Sequence, residues 1–410
     1  MLDSVRITQG GLTFMWRNML KQESEHQWIA IAGFFVFVLI GAIFIRGTSH
    51  LPGVDLIDNE LGDEYRIKDS KYNDKNNFYM HTYTDKGYQY IAVDEGEIHV
   101  LIDSSSNIDS SSFSGISLID NGSIVIANGQ TNAYVITSSI VSNFTVNFGI
   151  DSFSVSQIEQ SNDHIDRYLM ITKEIDNLQG IRGLNTSGIT SSSTPNNENV
   201  RWQNIAHVSN GKWIVTGTYN TPVTSGDQSP AAPEIKPAWA TILWDGGHTA
   251  PMVENIKIGL FGDYHSIVKL NQDNIIIAGS HETILLNHKS GDVTSIDYSS
   301  IAALSDKCNS AWLFNGKDSN SVLRFEGTSW DFEELPHDIP IDIEAAGFDG
   351  NTIHLHGIDE NGNSKTLTFD TSAIGSIESG SGFINLTFIV VSSIMFSIMA
   401  VNIIDKFRKK

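Results

Sequence analysis

One unit recurs along the middle of this chain: an alternating apolar stretch, a turn at Gly, Asn or Asp, a second apolar strand often closed by Gly, then a third strand and a polar turn. It reads GISLIDNGSIVIANGQTNAYVITSS at 115–139 and IAHVSNGKWIVTGTYN at 205–220, leading to WATILWDGG at 239–247. It returns as SIVKLNQDNIIIAGSHETILLNHKSGDVTSI (266–296), IAALSDKCNSAWLFNGKDSNSVLRFEGTSW (301–330) and IEAAGFDGNTIHLHGIDENGNSKTLTFDTSA (343–373). A looser copy covers 77–105, and a degenerate one about 152–203 with RYLMITKEI as its best strand. Starts at 205, 266, 301 and 343 lie 61, 35 and 42 residues apart, and 115 to 205 is 90, or two units of 45. The gap of 61 carries TPVTSGDQSPAAPEIKP (221–237), whose four prolines predict an exposed loop.

Short strands, tight turns and a period near 40 predict an all-β chain. The expected fold is a β-propeller of about seven four-stranded blades over 50–380, with six or eight as neighbouring counts. A pair of β-sandwiches is the alternative, although it would not require copies of one unit. The run GSHETILLNHKSGDVTSI resembles the outer half of a blade in quinoprotein-like or YVTN-type propellers, and FEGTSWDFEEL resembles kelch-like blades. The resemblance covers 50–380 as repeat shape. Repeated WD dipeptides, kelch double glycines and tryptophan-docking motifs are absent, so it implies the superfamily and no specific family.

Charge is distributed unevenly. No charged residue occurs in QWIAIAGFFVFVLIGAIFI (27–45), closed by Arg46, or in FINLTFIVVSSIMFSIMAVNII (383–404), followed by Asp405 and a basic tail. As helices these runs reach roughly 28 and 33 Å, enough for a bilayer core. A cleaved signal peptide does not fit the first run: it is too long, starts late and has no small-x-small site after it. One transmembrane helix is therefore expected at each end, at 27–46 and 383–404. Arg6, Arg17 and Lys21 before the first run, and Lys406, Arg408, Lys409 and Lys410 after the second, place both termini in the cytoplasm. Residues 1–26, with Leu12, Met15, Trp16, Met19 and Leu20 at helical spacing, read as a cytoplasmic amphipathic segment. The six residues 405–410 form a cytoplasmic tail. Gly33 and Gly41, with Ser393 and Ser397, would allow close contact between the two helices.

The formal net charge of −22 then divides into +4 on 1–49 plus 381–410 and −26 on 50–380. An acidic extracytoplasmic domain at a plasma membrane is expected, and nucleic acid is excluded as a partner for want of basic patches. The expected partners are membrane lipid and a protein or glycan. Cys308 is the single cysteine, which excludes disulfides within the chain and multi-cysteine metal motifs; it reads as a small packed hydrophobe.

Catalytic signals are thin. Loops feeding the inner strands at the channel mouth contain Arg201, His207, Asp263, His265, Asp342 and Glu344, a set able to bind a polar ligand or cation or to do acid–base work. A solvated, hydrogen-bonded rim is the plain alternative. His354 and His356 share one strand face and form the weak metal candidate, although they replace apolar positions equivalent to Ile276 and Ala278. Tyr83-Thr84-Asp85-Lys86-Gly87 partly resembles the Asp-box of sialidase-type propellers, which implies a stabilised turn and no hydrolysis. The Asp359–Asn363 turn is a weak Ca²⁺ candidate, and no cofactor is required. Asn121, Asn143 and Asn185 head N-glycosylation sequons, while Asn385 falls in the second apolar run. The leading expectation is a membrane-anchored, non-catalytic binding or scaffold module. The alternative is a propeller enzyme, a polysaccharide hydrolase or lyase or a quinoprotein-like oxidoreductase, acting at the channel mouth.

Overall fold

The computed structural model describes residues 33–39, 41, 51–102, 113–118, 123–128, 132–137, 140–145, 154–173, 179–185, 187, 190–195, 197–221, 234–306, 310–316, 321–326, 331–373 and 381–408, with 113–145 as backbone. They fall into two units, Pro52–Ala373 and the two chain ends, Met1–Leu51 with Ile374–Lys410.

Within Pro52–Ala373 the described strands form seven antiparallel sheets, each built by hairpins consecutive in sequence. Sheets 1 to 6 cover 66–102, 113–145, 154–185, 200–258, 264–296 and 302–336; sheet 7 covers 342–370 and takes its outer strand, Val54–Asp58, from the start of the domain. The first strands of successive sheets touch, from sheet 2 round to sheet 7 and on to sheet 1. This is a β-propeller. Six of its sheets are four-stranded blades, and sheet 3 has three strands, which corrects the expected seven four-stranded blades. An irregular stretch covers the edge of sheet 3 instead. Ser191 N–H donates to Gly183 O (2.9 Å), Thr194 N–H to Ile181 O (3.0 Å), and the Ser191 and Thr194 hydroxyls accept from the Gly183 and Ile181 N–H groups. Those edge groups would otherwise be open to another chain.

Strand alternation sends side chains to both faces of each sheet, so the core lies between blades. Leu169, Ile171 and Ile181 meet Trp213 and Val215 between sheets 3 and 4. Ile214 and Trp239 meet Ile275 and Ile277 between sheets 4 and 5, and Ile276 and Ala278 meet Leu313 and Phe325 between sheets 5 and 6. Full burial of such a side chain contributes about 1.5–3 kcal/mol.

A glycine near the end of the second strand recurs in three sheets. A Cβ on Gly217, Gly279 or Gly357 would fall within 3 Å of the carbonyl oxygen of Arg201, Asp263 or Asp342 respectively, at the start of the same blade's first strand. Each first strand carries a bulge there, between Trp202 and Asn204, Tyr264 and Ser266, or Ile343 and Ala345. The "often a Gly" of the repeat is thus a close backbone approach.

In the unit formed by the chain ends, residues 33–39 are helical and Ser381–Arg408 is a 28-residue helix. Phe34 meets Phe396 and Phe37 meets Phe388, an order that makes the two segments antiparallel. Gly41 admits the Phe388 ring, which a Cβ would overlap, whereas Gly33 has nothing near it and Ser397 bonds back to Ser393 O (2.8 Å). Among the described residues no helix is long and apolar enough to cross a membrane, and the flanking spans expected from sequence find no support there. Residues 1–26, most of the first apolar run and Cys308 lie outside the described residues.

Candidate functional site

The channel-mouth residues expected from sequence do not form one constellation. Arg201, Asp263 and Asp342 hold equivalent places at the start of their blades, where their carbonyls pack on the three glycines. His265 follows Asp263 on the strand Tyr264–Lys269. Its Nε2 lies 2.8 Å from Ser300 O and its Nδ1 2.8 Å from Ser266 Oγ, so Nε2–H donates to the carbonyl and Nδ1 accepts from the hydroxyl. Burial pushes its pKa down, against the opposing pull of the Ser300 carbonyl and Asp263.

His207 sits at the other end of its hairpin, paired with Trp213 beside the turn, whereas His265 lies at the hairpin end away from the turn. It faces Ser161 (3.3 Å) and Asp163 (3.6 Å), a set with the composition of a hydrolase triad. The bonding excludes that role. Asn162 N–H donates to His207 Nδ1 (3.1 Å), so in the neutral ring Nε2 carries the proton and cannot take one from Ser161. Ser161 Oγ in turn accepts the Asp163 and His164 N–H groups of its own turn. Burial pushes the His207 pKa down to about 4, which keeps the ring neutral. His207 therefore locks the first hairpin of sheet 3 to sheet 4.

Glu344 closes the ring on the mouth side. Its carboxylate takes a bidentate contact from Arg66 and a bond from Lys68 Nζ (2.8 Å), both on the first strand of sheet 1. Burial alone would raise the Glu344 pKa, but the two cations more than offset it and hold it low. Because Arg66 is half exposed, water screens the pair and its net worth is about 1 kcal/mol at most. Glu344→Gln is expected to lower the melting temperature by roughly 1–2 °C at low ionic strength, with the difference vanishing in 0.5 M salt.

The sequence-predicted histidine pair does come together with other groups, at the seam between sheets 7 and 1. Strand register sets Gly347, His354, Thr368 and Asp55 in one cross-strand row, and Ala345, His356, Thr366 and Ile57 in the row beside it. Tyr72 of sheet 1 lies flat against His354 (ring centroids 4.4 Å apart, 13° between planes), in space that a Cβ on Gly347 would fill. Its hydroxyl bonds His356 Nε2 (3.1 Å), and Thr366 Oγ1 lies 2.9 Å from His356 Nδ1. Burial, aided by His354, pushes the His356 pKa down to about 3. His354 Nε2 bonds the carboxylate of Asp349 (3.1 Å), whose other oxygen accepts the Asn351 and Thr352 N–H groups.

These rows line a cleft of about 360 Å³ bounded also by Glu60, Lys75, Phe78 and Met80. Among the described residues no three metal-ligating side chains converge, and three of the four imidazole nitrogens here are already engaged. Tyr72, Asp349, Asp55 and Glu60 were not legible as site residues. The one available signal was the replacement of apolar interface positions by His354 and His356.

The remaining candidates have local explanations. Thr84 Oγ1 accepts Lys86 N–H across the Asp85 turn (3.2 Å). The Asp359 carboxylate is taken up by Asn361 N–H, Asn363 N–H and the Asn363 amide, leaving little for Ca²⁺. Asn185 Oδ1 accepts Ser187 N–H (3.1 Å), Asn143 lies on the strand Ile140–Thr145, and Asn121 is outside the described residues.

Solved structures similar to this chain are propellers. A puromycin-hydrolysing peptidase of Mycobacterium tuberculosis matches 80% of this chain and 54% of its own at 10% identity and a TM-score of 0.53. An extracellular domain assigned to a one component system of B. thetaiotaomicron matches 78% of this chain and 40% of its own at 12% identity and 0.50. YCF48 bound to D1 peptide matches 79% of this chain and 98% of its own at 12% identity and 0.47. This chain thus spans about half or less of the first two, and at such identities the likeness shows fold alone. No protein-family model and no curated protein matches the sequence. The chain has the β-propeller fold, and its likeness to these structures is one of fold.

Proposed function

We propose that the propeller is a binding module for a protein partner, held at the outer face of the plasma membrane by its two ends. The observation that carries the binding reading is the rim of the mouth. The histidines and Glu344 are committed to bonds within and between blades, while Leu260 and Phe261, on the loop before Tyr264–Lys269, are 66% and 65% exposed side by side. Adjacent large apolar side chains left in water mark a contact surface rather than a reaction centre. Ile258 and Ile235, also exposed, flank them across the Ala238–Ile258 register.

Membrane tethering is supported by the sequence: two uncharged runs of 19 and 22 residues with basic flanks, and a centre of net charge −26. Both ends of the propeller also lie together, since Asp370 N–H donates to Gly53 O (2.9 Å) beside the Asn351 turn.

A photo-crosslinking residue placed at Phe261 of the full chain in native membranes tests the reading. A discrete protein adduct, retained after mild detergent extraction, is expected. A monomer that forms no adduct from this position, or a chain released by a carbonate wash, would overturn the binding or the tethering half respectively.

A further inference from the structure

The cleft at the closing seam differs from the other blade-to-blade interfaces described with side chains. Between sheets 5 and 6 the equivalent positions, Ile276 and Ala278, are fully buried in an apolar cluster. At the seam His354 and His356 take those places, Thr366, Thr368 and Asp55 continue the rows, and the blades part around about 360 Å³. Closure alone does not call for this, because apolar clusters fill the seams between sheets 3 and 4, 4 and 5, and 5 and 6, and one around Ile67, Phe78, Met80 and Ala345 packs the inner part of the closing seam itself. The volume lies within the range of small-ligand clefts.

The lining is rich in acceptors and poor in donors. Among the charged side chains there are four carboxylates, Asp55, Glu60, Asp349 and Asp370, and one ammonium, Lys75. Asp349 spends one oxygen on its own turn and the other on His354, and Asp370 accepts from Ser372 with Oδ1. Among the described residues no ion pair reaches Asp55 or Glu60. His354 gives its Nε2–H to Asp349, so in the neutral ring Nδ1 is a lone-pair acceptor, and it has no donor among the described residues. Phe78 and Met80, both 3% exposed, supply an apolar wall beneath these acceptors.

We propose that this cleft binds a lysine or arginine side chain of the protein partner, its alkyl stem on Phe78 and Met80 and its cationic head among Asp55, Glu60 and His354 Nδ1. An apolar wall under a ring of acceptors matches the two halves of such a side chain. The cleft continues into a larger polar groove of about 780 Å³ that shares Lys75, Asp349, Thr352 and Asp370 and adds Asp74 and Glu95, room for the residues flanking the cation. The inference rests on the binding reading above but uses a different surface.

The test is fluorescence anisotropy of a labelled Arg-Lys-Arg peptide, and of its all-Gln counterpart, with the full chain in mild detergent. The basic peptide is expected to bind saturably and the Gln peptide not to bind. The double variant Asp55→Asn/Glu60→Gln, at exposed positions that leave the melting temperature unchanged, should weaken binding about fivefold or more. His354→Gln, which alters no charge, should weaken it about two- to fivefold. Asp85→Asn/Asp94→Asn, which removes two exposed carboxylates elsewhere on sheet 1, should stay within about twofold. Equal losses in the two double variants would show attraction by bulk acidity alone and overturn the site, as would unsaturable binding. Failure here with the Phe261 adduct intact removes the cleft and leaves the binding module standing.

Discussion

Gly279→Ala and Gly357→Ala should each cost on the order of 2–4 kcal/mol of propeller stability, seen as a fall in the denaturation midpoint without change of slope. The reason is a collision with backbone. The added Cβ would lie 2.6 Å from Asp263 O in the first case and closer still to Asp342 O in the second. Neither carbonyl can turn aside, because each begins a first strand wedged against its neighbours round the axis. Asp263 O also accepts Ser280 N–H (3.0 Å), so its displacement would break a hydrogen bond as well. Gly316→Ala is the control: its nearest neighbour would be Ile301 Cδ1 at 3.9 Å, and the change should stay within about 0.5 kcal/mol. Equal stabilities for the three variants would show that the recurring glycine answers only to local turn chemistry.

That glycine also shows where the sequence was readable. The copies starting at 115, 205, 266, 301 and 343 begin within about five residues of the first strands Phe113–Leu118, Val200–Ser209, Tyr264–Lys269, Ala302–Ser305 and Asp342–Phe348. Alternation and turn residues are local signals, and a hairpin-built blade is a local object. Several strands escaped, among them Ile140–Thr145, Met252–Ile258 and two near the start of the domain. Arg66–Tyr72, RIKDSKY, buries only Ile67 and Ser70 and so lacks an apolar rhythm. Val54–Asp58 pairs with Ser364–Asp370, some 310 residues away, and no local pattern can announce such a partner. The candidate site was hidden for the same reason. Arg201, Asp263 and Asp342 stand at first-strand starts, but what the candidate side chains do depends on the adjacent blade: Ser161 for His207, Ser300 for His265, Arg66 and Lys68 for Glu344. His354 and His356 stood out only as departures from an apolar pattern, and their partner Tyr72 comes from the far end of the domain.

Those buried imidazoles make the propeller acid-labile before its carboxylates titrate. His207 and His356 are held neutral, with pKa values near 4 and 3, whereas in the unfolded chain each returns to about 6.5. Between these limits the unfolded state binds more protons than the native one, so stability rises with pH across the window and falls on acidification. The full contribution is present above pH ~6.5, and lowering the pH from 7 to 4.5 should remove on the order of 2–3 kcal/mol per histidine, a large share of the usual 5–15 kcal/mol. The groups facing His207 are Asp163, which favours its charge, and Lys269 and His164, which oppose it; His356 meets neutral Tyr72 and Thr366, with His354 opposing. Glu344 and Asp349, whose pKa values are held low, act in the same direction at more acidic pH. Asp69, pushed up to about 6 by the protein packed round it, works oppositely; the residue remains exposed, so water screens its share. Denaturant midpoints measured from pH 7.5 to 4.5 should fall steadily below pH 6.5, and His207→Asn with His356→Asn together should flatten that fall while lowering stability at pH 7.5. A wild-type midpoint independent of pH between 6.5 and 4.5 would mean that these two rings reach protons and water in the native state, and that neither seam is closed as the structure draws it.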